Sequence, residues 1–349
     1  MISYDPGEWG IGFIWSLKGS VFSRSLWVAL PNGLLAALLA LYSARYEQAW
    51  LVTDGVKMVW GSFTFVLGFL LVFRNGQAYS RFRQGAMLMN RVTACWLEAA
   101  TSFVVFCADE EEKQEKVEHF VQLLIRLFSM LHCAALQQVS EMDDDRQDIL
   151  NPDGIDPASM AYLMQAENKM EVIIHWIRDL CVVSARDGIL TAPPPILSRG
   201  IQELSLGQVA FFDVKKIMDV PFPFPYAQVL SSMIIVHWIM TPVLASQACE
   251  GWAWAAIVCF LVSFAIWSLL YIALELDQPF GDDDNDLPLS LFQHEFNEHL
   301  KMMIRPEARY PPKFLLDSSN DYLRTADSEK FWTSNKEDPN QSNGYGAIS

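Results

Sequence analysis

Basic residues, paired cysteines and strand-like alternation are all scarce in this chain. Its 25 Lys and Arg stand against 41 Asp and Glu, a formal net charge of −16, and a nucleic-acid binder needs the opposite balance because neutralising phosphates takes a basic face. The six cysteines (Cys95, Cys107, Cys133, Cys181, Cys249, Cys259) lie far apart and form no CxxC pair. A disulfide-framed secreted module is thereby excluded, and buried thiols outside any disulfide are the favoured reading. There is no HExxH, no triad-like arrangement and no Gly-rich phosphate loop, so no set of acid, base and nucleophile can be named and an enzyme is not expected. Neither is a secretory signal, since Trp9, Trp15, Lys18 and Arg24 precede the first apolar segment without a small-residue cleavage site, nor an organellar transit peptide.

What is present is clustered apolar sequence. Hydrophobic residues make up 52% of the 349, with 12 Trp and 22 Phe, against only 19% charged, and the mean hydropathy is positive. Residues 251–274 contain no charge, and 17 to 25 apolar residues cross a hydrocarbon core of roughly 30 Å. Four segments qualify as membrane spans: 26–42, 58–73, 229–246 and 252–274. The first contains Pro31, Asn32 and Gly33, whose polar groups need shielding by neighbouring helices. Between the second and third spans, residues 87–108, 113–138, 168–189 and 198–218 repeat apolar positions at three- and four-residue spacing, with Pro193, Pro194 and Pro195 separating the last two. The expected fold is therefore an all-α integral membrane protein with four spans and a large helical region outside the bilayer.

Orientation follows from basic residues near the span ends. Lys18 and Arg24, then Arg74, Arg81, Arg83 and Arg91, then Lys215 and Lys216 fall on one side, which places both termini and the helical region in the cytosol or its equivalent. The chain divides into an N-terminal segment (1–25), spans one and two (26–73), a cytosolic helical region (74–228), spans three and four (229–274), an acidic segment with a following helix (275–310) and a tail (311–349).

Four features carry chemistry. Phe65, Phe69 and Phe73 recur every fourth residue, which keeps three rings on one helix face, and the same stripe continues to Gln77 and Arg81. Such a face suits a pore lining, with ordinary helix packing as the competing reading. Asp282, Asp283, Asp284 and Asp286 follow Pro279 and Gly281, with Glu275 and Asp277 just upstream. Oxygen ligands at this density suit Ca²⁺, or simply a solvated acidic loop. An EF-hand is excluded because Leu287 and Gln293 stand where Gly and Glu are required. The alternating prolines of 221–226 predict an extended entry into span three. His237 within that span reads as a helix–helix hydrogen bond or as a relay.

In their order, these elements resemble the bestrophin family of anion channels, including its plant and bacterial branches. The matching stretches are Lys18-Gly19-Ser20-Val21, Leu71-Val72-Phe73-Arg74-Asn75 with Ala78-Tyr79-Ser80-Arg81-Phe82, residues 221–228, and Pro279-Phe280-Gly281 running into Asn285-Asp286-Leu287-Pro288-Leu289. The resemblance covers about residues 1–310. It implies a homopentamer around one central pore in a lipid bilayer, a hydrophobic neck at Phe65, Phe69 and Phe73, and a lower cytosolic aperture at Phe222. It also implies a Ca²⁺ clasp with Asp283 and Asp286 as side-chain ligands, Gln278 by its carbonyl, Glu275, and a carbonyl near Ser3. The Asn-Asp-Leu-Pro-Leu ending is shared with family branches that do not depend on Ca²⁺, so a purely structural loop stays open. The expected function is passive conduction of chloride or bicarbonate across a plasma or plastid (thylakoid) membrane, the alternative being a non-conducting adaptor that binds partners through its helical region and acidic tail.

Overall fold

The computed structural model describes residues 16, 18–46, 54–140, 148–151, 154–281, 283–309 and 311–312. Ser3, Asp282, most of the acidic stretch 141–148 and nearly all of the C-terminal tail lie outside them. Among the described residues the chain is all helical: α1 (Phe22–Tyr46), α2 (Asp54–Val105), α3 (Gln114–Val139), α4 (Pro157–Gln165), α5 (Lys169–Arg186), α6 (Pro194–Asp219), α7 (Phe224–Ala248), α8 (Trp252–Asp277), α9 (Leu289–Met303) and the short α10 (Pro306–Arg309). An isolated bridge, Cys107 with Leu190, ties the end of α2 to the segment after α5.

The second span and the helix expected at 87–108 are one element. No proline interrupts the 52 residues of α2, and at 1.5 Å per residue it runs about 78 Å. The polarity change at Arg74 marks a change of surroundings rather than a helix end. Prolines also sit inside helix starts where the sequence predicts an extended chain or a break. Pro194 and Pro195 begin α6, and Pro225 occupies the first turn of α7, because the missing N–H of proline has no intrahelical acceptor there in any case.

Among the described residues five helices are long and apolar enough to cross a membrane, one more than the sequence reading gives. The extra one is α3, whose most apolar stretch is 78% buried inside the protein, against 11% for α2 and 28% for α8. Its apolar residues are the centre of a core that joins Trp96 and Phe103 of α2, Phe120, Phe128 and Leu131 of α3, Ile177 of α5, Phe211 of α6 and Phe296 of α9. Two glycines allow α6 to approach α2: a Cβ at Gly207 would run into the indole of Trp96, and one at Gly200 would meet Phe103.

A buried polar network pins α9 to this core. His132 stacks on Phe296 with ring centroids 4.2 Å apart. Its Nδ1 donates to Gln293 Oε1 at 2.7 Å, which leaves Nε2 to accept from the Thr93 hydroxyl at 3.2 Å. Gln293 and Asn297 in turn donate to the Asp148 carbonyl at 3.1 and 2.6 Å. Full burial disfavours the charged imidazolium and holds the His132 ring down to about 4.

A second cluster, Leu67, Leu71, Leu230, Ile234 and Leu270, packs α2 against α7 and α8. Nearby, α1 meets α8 closely enough that a Cβ at Gly33 would press on Ala256 and Phe260. The polar Asn32 is shielded as its position demands, donating to the Trp238 carbonyl at 3.1 Å and the Ser263 hydroxyl at 2.8 Å. None of the six cysteines is in a disulfide, and three of them are buried.

Candidate functional site

The two faces of α2 differ within the membrane span. Leu67 and Leu71 are fully buried against α7 and α8, while Phe65, Phe69 and Phe73 are 77%, 65% and 45% exposed. The phenylalanines thus form a continuous apolar stripe left largely open by the rest of the subunit. Asn75 fixes the orientation of the helix, donating to the Leu71 carbonyl of its own turn and the Leu269 carbonyl of α8 at 2.9 and 3.0 Å. Below Phe73 the stripe continues onto the exposed Gln77. It does not reach Arg81, whose guanidinium turns aside to donate to the Val220 and Ile217 carbonyls at 2.7 Å and to pair with Asp277 at 3.0 Å. A cation at the C-terminus of α6 satisfies carbonyls that the helix leaves open.

At the base of the stripe the aromatic contacts continue between helices. Phe73 packs on Tyr226 at 5.5 Å, and Tyr226 meets Phe222 edge-on at 5.1 Å. Arg74 lies over the Phe222 ring at 5.3 Å. Phe222 is therefore within two ring contacts of Phe73, near the top of the helical region, whereas α2 runs on for roughly 48 Å below Phe73. An aperture at Phe222 would form the floor of the neck, not a second constriction at its far end.

The acidic loop is folded against the start of α1. Glu275 pairs with Arg24 at 2.6 Å, Asp284 with Lys18 at 3.5 Å, and the Asn285 amide donates to the Gly19 carbonyl at 2.8 Å. The Asp286 carboxylate accepts from the Asp283 N–H at 2.8 Å, and a Cβ at Gly281 would collide with it at 2.5 Å. Burial raises the Asp286 carboxyl above its ordinary value, and the neighbouring charges of Asp283 and Glu275 push the same way against the hydrogen bond. Among the described residues no three acidic, His or Cys side chains converge as a metal site would require. Glu275 and Asp286 have partners inside the protein, Arg24 and the Asp283 N–H, and Gln278 is the residue that ends α8.

His237 reaches across to α2 by stacking on Trp60 at 5.1 Å, while its hydrogen bonds run to Thr241 one turn on in its own helix and not between helices as expected. Sequence reasoning missed the burial of Arg74, 6% exposed beside an exposed stripe, and the pairing of Arg24 with Glu275. The available signal for Arg74 was its place directly after Phe73, two turns above Arg81.

Comparison with known proteins agrees with this architecture. The chain is 26% identical over 285 residues to a voltage-dependent anion channel-forming protein of Nostoc sp., covering 78% of this chain and 83% of that one. It is 24% identical over 319 residues to the voltage-dependent anion channel-forming protein YneE of Escherichia coli K12, covering 87% and 94%. The crystal structure of a bacterial bestrophin homologue from Klebsiella pneumoniae, carrying a single substitution, superimposes with a TM-score of 0.67 at 16% identity, covering 80% of this chain and 98% of that one. The sequence pattern of the bacterial/fungal bestrophin proteins matches residues 4–302. With that match spanning most of the chain and the same helical fold, the protein belongs to the bestrophin family, whose members are channels and not enzymes.

Proposed function

We propose that the chain is one subunit of a homopentameric channel that conducts chloride or bicarbonate passively, with α1, the upper part of α2, α7 and α8 as its four spans. The observation that carries this reading is the uncovered phenylalanine stripe on a helix whose opposite face is fully buried. Five copies of α2 around an axis would place these rings in a narrow hydrophobic neck, where edges bearing partial positive charge meet a partly dehydrated anion. Gly61 and Gly68 flank the stripe, and a Cβ at either would meet nothing within 4 Å, which leaves room for a neighbouring helix to approach. Gln77 and the exposed Arg83 continue the path on the cytosolic or stromal side, toward which the basic residues direct the termini. The membrane is a plasma or thylakoid membrane.

Calcium has a place in this scheme only at the clasp. Bound there, the ion would cross-link the acidic loop to the N-terminal segment through Asp283 and Asp286. The pairings of that loop with Lys18 and Arg24 already make the same connection.

Purified protein in liposomes tests the function. Chloride-driven and bicarbonate-driven flux from a pentamer supports it, and a pentamer that passes neither ion supports the adaptor.

A further inference from the structure

Arg74 and Arg81 stand two turns apart on the same face of α2, and they are used differently. Arg81 spends its charge on two carbonyls and the carboxylate of Asp277. Arg74 is 6% exposed, yet no carboxylate or carbonyl pairs with it among the described residues, and its Nε is a buried donor without an acceptor. The Phe222 ring faces the guanidinium at 5.3 Å. That contact offsets part of the lost hydration but engages none of the five N–H groups in the plane of the cation. A buried Nε–H without an acceptor is unfavourable, and an anion at the guanidinium supplies what is missing.

A second feature points to the same place. Helix α7 is 25 residues long and starts at Phe224, two residues after Phe222, with Pro223 at its N-cap and no side chain accepting from its first turn. Its open N–H groups and the positive end of its dipole therefore face outward beside the Phe222–Tyr226 pair. Tyr226 joins that pair to Phe73 at 5.5 Å.

We infer that Arg74 and the N-terminus of α7 together form a binding site for a small monovalent anion on the α7-packed side of α2, beside the base of the phenylalanine stripe. The inference rests on the reading that the stripe lines the conduction path. An ion that sheds water among the rings is received at their base by a fixed positive charge, which raises its local concentration where hydration is poorest. Phe222, stacked on the guanidinium, orients the cation and is a positioning residue.

The test is conductance against chloride concentration in bilayers, for the wild type, Arg74→Gln and Arg74→Lys. At low chloride the Arg74→Gln channel conducts about tenfold less than wild type, converging with it at high chloride, as expected when a local charge concentrates the ion. Arg74→Lys, which keeps the charge without the planar fork, falls between the two. Independently, the wild-type pentamer melts higher in chloride than in gluconate at equal ionic strength, and Arg74→Lys reduces the difference. That arm decides the matter should Arg74→Gln fail to assemble. Unchanged chloride dependence in a conducting Arg74→Gln channel overturns the site. So does a loss of pentamer stability alone, which would assign Arg74 to a carboxylate of a neighbouring subunit. A wild type that passes no anion overturns the channel reading and the site with it.

Discussion

Arg24 and Glu275 lie 251 positions apart in the sequence and meet at 2.6 Å, fastening the start of α1 to the end of α8. Glu275 is 12% exposed on its side chain while Arg24 is 59% exposed, so the carboxylate is the partner that depends on the bond. Replacing Arg24 by Gln leaves a largely buried charge with a weaker donor and is expected to cost about 1 to 2 kcal/mol. Melting of the detergent-solubilised protein measures this. The double replacement Arg24→Gln with Glu275→Gln should recover part of the loss, and a double variant no more stable than Arg24→Gln would show that the pair does not act as a pair.

Calcium is expected to leave the melting temperature unchanged between micromolar Ca²⁺ and chelator, because Glu275 and Asp286 are engaged by Arg24 and by the Asp283 N–H. A Ca²⁺-dependent rise that disappears in Asp283→Ala with Asp286→Ala would show instead that the ion recruits those carboxylates and reorganises the loop.

Replacing Phe65, Phe69 and Phe73 together by Ala is expected to raise basal current severalfold, since a hydrophobic constriction closes by favouring the dry state and fifteen rings leave a pentamer at once. These side chains are exposed within the subunit, so the fold should tolerate their loss. Single-channel recording checks it, and currents equal to wild type in an assembled triple variant would put the gate elsewhere, with Phe222 next.

Permeability is expected to rise with ease of dehydration, with iodide and nitrate ahead of chloride and fluoride last, because ring edges replace only part of a hydration shell. Reversal potentials under bi-ionic conditions give the order. Fluoride ahead of iodide would contradict an aromatic neck.

His132 predicts an acid limit for the helical region. Its folded value of about 4 lies below the ordinary 6.5, so the unfolded chain takes up the proton first as pH falls. The stability it contributes is complete above pH 6.5 and is lost progressively down to about 4, a total on the order of 3 kcal/mol. His132→Gln should melt lower at about pH 7.5 but show a flatter decline across the acid range between the two values. Parallel declines in the two proteins would assign the acid sensitivity to other groups.

Much of this was legible in the sequence because membrane helices announce themselves by length and apolarity, and the residues at 26–42 and 252–274 did so. The phenylalanine spacing was equally plain, since helical periodicity fixes a face without any knowledge of partners. What periodicity cannot supply is which surroundings a face meets. The helix α3 is as apolar as a span yet 78% buried in protein over its most apolar stretch, and only the tertiary fold distinguishes the two. The same limit hid Arg74, whose burial depends on Phe222, a residue far away in the sequence, and the continuity of α2, where a change of solvent at residue 74 looks locally like an ending.

That continuity has a mechanical meaning. A helix 52 residues long with no proline inside it is a strut without a joint, anchored at its lower end by Trp96 and Phe103 in the helical core. A twist or tilt imposed there is passed along one continuous helix toward the phenylalanines, with no proline hinge on the way. A force applied to the helical core through α3, α5 or α9 therefore acts on the same helix that carries Phe65, Phe69 and Phe73.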